Sequence, residues 1–447
     1  MASDERDAVA VMVDNVRRFL HDKVDADAID RQCAIDEAVL DEAKTLGLFG
    51  LEVPSELGGI GLSATAYNRI LQEVAGWDTS LAVVLGAHQS IGYKALQLFG
   101  TTEQQRRFLP ELAAGRLVGA FALTEPSAGS DAAAIKTYAE LSADGSHYCL
   151  NGSKIWVTNG GLADLFTVFA RTTREAEGTK PKITAFLVER GDGVTVGPNE
   201  DKLGIRGTST TALHLDDVAV PTGNVIGERG HGFKVAMTVL NAGRLGLAAG
   251  CVGSCRTLCN MSIARVQERR AFGRPIGDFG IIKDKISSML ARTFALESAT
   301  YLTTGLVDAK TPDFSLESAI CKVMGSETLW WVVNEALQIA AGIGYMREYP
   351  YERRLRDARI NLIFEGTNEV LRCFIALAGM AGPGDRLAEV AQAIREPIKG
   401  FGLLRNFALR KARTMIVPER MTRIHPALSR ESVLFEECTS QPVSYTH

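Results

Sequence analysis

The stretch R-I-N-L-I-F-E-G-T-N-E-V-L-R, from Arg359 to Arg372, sets one carboxylate, Glu365, behind the apolar run Leu362-Ile363-Phe364 and directly ahead of Gly366. Neighbours that favour a dry interior raise the pKa of an acid placed among them, which makes Glu365 a candidate general base. Gly366 lets the backbone approach a ligand more closely than any residue with a side chain could. From Gly366 to Ala378 the apolar spacing turns helical, so the acid is expected at a loop-to-helix junction.

Working outward, the preceding residues read as long helices: Phe233–Arg270, Gly280–Lys310 and Ser315–Gly342. Lengths near or above 25 residues imply a bundle of antiparallel rods. Upstream, from Phe121 to Pro221, alternating and β-branched runs replace that pattern: His147 to Leu150, Lys154 to Thr158, Leu165 to Arg171, Ile183 to Val188 and Thr211 to Val220. Asn151-Gly152 and Asn159-Gly160 are turn dipeptides between such runs. From Asp7 to about Ala120 the pattern is helical again. Val9, Met12, Val13, Val16, Phe19 and Leu20 mark one buried face, and Ala66 to Phe99 reads as two helices. The chain is thus expected to be mainly α with a central β-barrel, divided at 1–120, 121–226, 227–380 and 381–447. The last of these is an extension with a frayed end. Within it the region from Arg395 to Arg423 is basic and amphipathic, as suits either a docking helix or one lying on an anionic membrane.

Composition limits the function classes. The chain has 447 residues, 46% hydrophobic and 23% charged, with a net charge of -4. That is an ordinary soluble composition, and its mild acidity argues against a dedicated nucleic-acid binder. No uninterrupted apolar run reaches membrane-spanning length. The acidic start, Met1-Ala2-Ser3-Asp4-Glu5, has neither signal-peptide nor transit-peptide character. Cys251, Cys255 and Cys259 fall on one stripe of a helix rich in small residues. Their spacing matches no zinc or iron–sulfur pattern, so they read as compact core residues. His88, on an apolar helical segment, reads as a satisfied core residue. Gly58-Gly59-x-Gly61 lacks the strand and the Lys-Ser/Thr of a phosphate loop.

Two further segments carry chemistry. Phe121-Ala122-Leu123-Thr124-Glu125-Pro126-Ser127-Ala128-Gly129-Ser130-Asp131 gathers hydroxyls and small residues where a strand gives way to a loop, as suits a heterocycle or a pyrophosphate; an ordinary Ser/Gly turn fits equally. In Lys154-Ile155-Trp156-Val157-Thr158, the indole and the hydroxyl two residues on share one strand face, which is one way to hold a flavin ring. A Trp packed in a core would leave the same trace. No Gly-x-Gly-x-x-Gly follows an expected strand, so a dinucleotide would not be bound through a Rossmann turn.

In order and spacing these segments resemble the acyl-CoA dehydrogenase family. The matching text is F-A-L-T-E-P-S-A-G-S-D (121–131), K-I-W-V-T-N-G-G (154–161), R-R-A-F-G (269–273), Q-I-A-A-G-I-G (338–344) and Arg356-Asp357-Ala358-Arg359-Ile360 leading to Glu365-Gly366-Thr367. Within the family, L-G-A-H-Q-S-I-G (85–92) and H-P-A-L-S-R (425–430) resemble the very-long-chain branch. The resemblance implies an N-terminal helical domain, a β-barrel and a C-terminal four-helix bundle. It further implies non-covalent FAD and α,β-dehydrogenation of a fatty acyl-CoA in β-oxidation. Glu365 would take the α proton while a β hydride moves to flavin N5. Phe121, Leu123, Thr124, Ser130, Trp156 and Thr158 would contact the flavin, with the Thr158 hydroxyl near N5. Arg269, Phe272, Gln338 and Gly342 would reach the FAD of a neighbouring protomer, and Thr367 would support the FAD of its own chain. Ser130, Asn241, Arg244, Phe364 and Gly366 would line the substrate site.

Some relatives carry the base just ahead of the family's arginine; here that place holds Gly243, which leaves Glu365 as the single candidate. Ala341 stands where many relatives have glycine. The implied partners are an electron-transfer flavoprotein and further copies of the chain, as a homodimer or homotetramer. Only the first part of the branch's helical extension is present, which leaves that choice open. Two other functions share these motifs: an oxidase that uses dioxygen, and an assembly factor on the same fold. The implied location is cytoplasmic in a bacterium and mitochondrial in a eukaryote.

Overall fold

The computed structural model describes residues 3–172, 182–380 and 433; the basic stretch 395–423 and the rest of the expected extension lie outside them, Val433 apart. Residues Met1–Cys373 form one compact unit in which helical, sheet and helical segments follow in order.

Seven helices come first: α1 (Ser3–Lys23), α2 (Ala26–Gln32), α3 (Glu37–Thr45), α4 (Ala64–Trp77), α5 (Thr79–Gly86), α6 (Lys94–Phe99) and α7 (Thr102–Ala113). The apolar stripe read from Val9 to Leu20 is buried against α4, which places it in the core as its spacing requires. The region expected to hold two helices, Ala66 to Phe99, holds three α-helices and a π-helical turn, Ala87–Gly92. The break comes at Asp78, whose carboxylate caps α5 by accepting from Leu81 N at 2.7 Å. His88 lies in the π turn, fully buried. Gly119 N donates to its Nδ1 at 2.9 Å, so Nε2 carries the proton and donates to Leu112 O at 3.0 Å. Burial holds its pKa down at about 4. It is the satisfied core residue that its setting suggested.

The middle segment is a mixed sheet in the order β6-β7-β3-β2-β4-β5-β8, with β1 (Gly119–Ala122) parallel to β4 (Leu165–Thr172). The other strands are β2 (Tyr138–Leu141), β3 (His147–Thr158), β5 (Ile183–Glu189), β6 (Val194–Val196), β7 (Thr210–Pro221) and β8 (Val225–Ile226). The sheet curls around its own core, in which Tyr148, Leu150 and Leu213 meet Phe166, Val168 and Phe186. It does not close. Its ends, β6 and β8, are three and two residues long and do not pair, so the expected barrel is replaced by an open sheet with blunted edges. β4 is almost continuously buried because its second face packs on α-helices through Leu165 and Phe169.

Asn151-Gly152 is a further correction. It makes no turn, because β3 runs unbroken through it alongside β7; the extra residue of the bulge at this point lies on β7, between Leu215 and Val218, where Asp217 takes φ 49°. Asn159, at φ 64°, does turn the chain.

Three rods complete the unit: α8 (Gly232–Glu268), α9 (Gly280–Asp308) and α10 (Ser315–Ala340). α8 packs on α9, α10 and α4 together. One 18-residue window of α8 has a mean hydropathy of 1.4, as a membrane span would, yet 61% of that window is buried in the protein. Its Cys251, Cys255 and Cys259 are packed into the bundle core. The short α11 (Gly342–Tyr345) and α12 (Tyr351–Arg359) follow, and residues 368–380 are helical.

Candidate active site

A cavity of about 410 Å³ opens between the sheet, α4–α5 and α8. Its wall includes Phe121, Leu123, Thr124 and Ser130 from β1 and the loop after it, Trp156 and Thr158 from β3, Arg244 from α8, and Phe364, Glu365 and Gly366. Ten of the residues singled out in the sequence therefore meet at one cavity. Asn241 lies beside it: its Oδ1 accepts from Arg244 Nη1 at 3.0 Å. Thr367 is half-buried just beyond.

Glu365 is held by backbone geometry that few residues tolerate. Its φ is 60° and that of Gly366 is 91°, so two successive residues are left-handed before the helix at 368 begins. A buried cation clamps each carbonyl. Arg244 Nε donates to Glu365 O at 3.1 Å, and Lys322 Nζ donates to Gly366 O at 2.7 Å and to Asn368 Oδ1 at 2.8 Å. Lys322, fully buried on α10, was not legible as a site residue, because an A-I-C-K-V-M run does not tell a structural lysine from a solvated one. Burial lowers its pKa to about 8.

The carboxylate enters the space left by a missing side chain. A Cβ on Gly243 would stand 2.9 Å from both of its oxygens and 2.9 Å from Ile91 Cγ2. Oε2 is buried without a hydrogen-bond partner, and Glu365 N finds no acceptor among the described residues. Desolvation raises the pKa of the acid to about 7, against the opposing pull of Arg244 and Lys322. An acid in this state can accept a proton near neutral pH.

The mouth of the cavity is shaped by the bulge in β3. Register shifts between Lys154 and Val157, Trp156 takes φ 54°, and its indole stands 63% exposed. The neighbouring Lys154 is fully buried, its Nζ on Glu125 Oε1 at 2.8 Å and Leu123 O at 3.1 Å. Burial brings Lys154 down to about 8. Burial also works to raise Glu125, but bonds from Lys154, Thr137 and the Lys136 N–H outweigh it and keep the carboxylate ionised. This buried pair ties the Thr124 loop to β3 and fixes one edge of the mouth. The hydroxyls of Thr124, Ser130 and Thr158 have no partner among the described residues, which leaves them available to a ligand.

Four predicted cofactor residues lie elsewhere. Arg269 is exposed, and Phe272 stands 93% exposed with φ 51° in the hairpin between Arg270–Ala271 and Arg274–Pro275. Gln338 is exposed near the end of α10, and a Cβ on Gly342 would meet nothing within 4 Å. Between them Ala341 adopts φ 56° and ψ -134°, a conformation suited to the glycine that many relatives have there.

An aromatic plane at a mouth with unpaired hydroxyls, over a dry acid, is the donor set of a flavin-dependent oxidoreductase acting on C–H bonds. Models of the acyl-CoA dehydrogenase N-terminal, middle and C-terminal domains match residues 7–116, 120–218 and 230–380. The chain belongs to the acyl-CoA dehydrogenase family. It is 45% identical over 438 residues to a very long-chain specific acyl-CoA dehydrogenase, mitochondrial, of Macaca fascicularis, covering 96% of this chain and 67% of that protein. A butyryl-CoA dehydrogenase from Megasphaera elsdenii superimposes with a TM-score of 0.80 at 36% identity, over 85% of this chain and 99% of that one. An acyl-CoA dehydrogenase complexed with FAD from Bacillus anthracis gives 0.78 at 36%, over 86% and 70%. The chain spans about two thirds of the length of the curated relatives it matches. FAD is the cofactor of this family, and the free hydroxyls and exposed indole at the mouth fit it.

Proposed function

We propose that the chain is an FAD-dependent dehydrogenase of long-chain fatty acyl-CoA thioesters, working in β-oxidation with Glu365 as general base. The observation that carries this reading is the Glu365 carboxylate, desolvated, unpartnered at Oε2 and lining a cavity whose wall is largely, though not wholly, apolar. Ionised, it removes the α proton; the electron pair left behind forms the Cα=Cβ bond as hydride departs from Cβ. FAD, when bound, supplies the hydride acceptor. The free Glu365 N–H is a donor for the thioester oxygen, where negative charge grows as the proton leaves. Arg244 and Lys322 hold that N–H and the carboxylate in place through the adjoining carbonyls.

Phe121, Leu123, Thr124, Ser130, Trp156 and Thr158 hold the flavin, and Thr367 supports FAD from the same chain. Arg269, Phe272, Gln338 and Gly342 reach the FAD of a second copy in a homodimer or homotetramer, which accounts for a phenyl ring left 93% exposed. Ser130, Asn241, Arg244, Phe364 and Gly366 contact the substrate. Small residues support a long acyl chain, since a Cβ on Gly86 would meet only Leu71 Cδ2, at 4.0 Å. Electrons then pass to an electron-transfer flavoprotein, in the cytoplasm of a bacterium or in a mitochondrion. The test is anaerobic titration of the FAD-loaded protein with palmitoyl-CoA and butyryl-CoA. Flavin absorbance should bleach, and faster with palmitoyl-CoA; no bleaching by either refutes the activity, and a butyryl preference refutes the chain length.

A further inference from the structure

The cavity that begins at Glu365 has Arg354 in its wall as well. The distance between them can be read along α8. Gly243 abuts the Glu365 carboxylate, whereas Gly253 and Thr257 abut Gly76, whose carbonyl accepts from Thr257 Oγ1 at 2.8 Å and from Arg354 Nη2 at 2.9 Å. At 1.5 Å per residue the two ends lie roughly 15–21 Å apart. The wall between is apolar or small: Leu71, Ala75, Leu247 and Gly250.

Arg354 is densely surrounded by protein, which lowers its pKa to about 10, yet it keeps accessible surface, and it lines the cavity. Nη2 caps the end of α4 at Gly76 O and Trp77 O; Nε is buried with no partner. No carboxylate among the described residues forms an ion pair with it. The two acids nearest in effect are engaged elsewhere: Asp78 with Leu81 N and Arg353, Asp357 with Ile205 N. Asp357, Asp78 and Asp27 act on Arg354 from a distance without contacting it. A guanidinium with no carboxylate in direct contact, in the wall of a largely apolar slot, makes a poor neighbour for a methyl group and a good one for an anion.

We propose that the slot accepts acyl thioesters whose far end carries a carboxylate, with Arg354 as the residue that recognises it. This rests on the reading of the Glu365 cavity as an acyl site. An extended chain covers about 3.3–3.6 Å for every three bonds, so the span selects a chain of roughly 13 to 18 bonds.

The experiment compares anaerobic flavin bleaching by hexadecanedioyl-CoA and palmitoyl-CoA, as second-order rates below saturation, for the FAD-loaded protein and for Arg354→Leu. The wild type should favour the dicarboxylic thioester at least tenfold. Arg354→Leu, checked for unchanged FAD content, should lose that preference while still bleaching with palmitoyl-CoA. Equal rates with the two thioesters in the wild type overturn the proposal without any variant, as does an unchanged preference in Arg354→Leu. Bleaching by neither thioester would instead overturn the acyl site on which the proposal rests.

Discussion

Replacing Glu365 with Gln should abolish flavin bleaching and, above neutral pH, make the protein more stable. The folded environment lifts this carboxyl from its ordinary 4.5 to about 7, chiefly by desolvation. At 1.36 kcal/mol per pKa unit, the ionised state is about 3 kcal/mol less favourable in the folded protein than in the unfolded chain. The sign follows from the direction of the shift. Below pH 4.5 the acid is protonated in both states and costs nothing; between 4.5 and about 7 the unfolded chain ionises first and stability falls; above 7 the full cost is present. A glutamine stays neutral throughout, so the stability gain of Glu365→Gln should be near zero at pH 4.5. It should approach about 3 kcal/mol at pH 8, less whatever the buried amide loses for want of partners. Chemical denaturation of the two FAD-loaded proteins at both pH values measures this. A difference that does not change with pH would refute the claim that desolvation sets the state of the base.

Three other outcomes follow from the same geometry. Gly243→Ala puts a methyl 2.9 Å from both carboxylate oxygens and should slow bleaching about 10-fold to 100-fold at unchanged FAD content, since a misplacement near 1 Å costs that much; unchanged rates would show that the acid works from elsewhere. Lys322→Met removes a cation that favours the ionised base, so the rising limb of the pH–rate profile should move above pH 7 and the lost rate return in alkali. An unmoved limb, with the rate alone reduced, would leave Lys322 a packing residue. Lys154→Met strands Glu125 without its buried partner and should cost about 3–5 kcal/mol of stability on denaturant unfolding; a loss under 1 kcal/mol would contradict it.

The fold was legible where burial is one-sided or complete. The rods α8, α9 and α10 lie within two residues of the helices read from spacing, because each carries a buried stripe at helical intervals. That Glu365 would sit in a desolvating setting was legible too, from the apolar run Leu362-Ile363-Phe364 ahead of it, and the structure places it in the cavity wall with its pKa raised. What the sequence hid is decided by partners distant in the chain. Asn151-Gly152 has the local chemistry of a turn, and only β7 alongside, itself bulged opposite this point, keeps it in a strand. Whether a sheet closes depends on its edges, and β6 and β8 are too short to leave a periodic trace. Lys322 shows its role only against Gly366, 44 residues away. Arg354 likewise reads as one more cation in Y-E-R-R-L-R until α4 and α8 close around it.

The missing side chain at Gly243 makes the position of the proposed base transferable. A side chain growing from that α-carbon would head for the volume the Glu365 oxygens fill, so helix and loop compete for a single berth. Two acids cannot share it, but a paired exchange, glutamate on the helix and glycine in the loop, would keep the proton acceptor where it is while releasing residue 365 from its left-handed strain. Relatives that carry their acid on the helix and those that carry it on the loop would then differ in where the chain supplies the carboxylate, and share the point at which it meets the substrate.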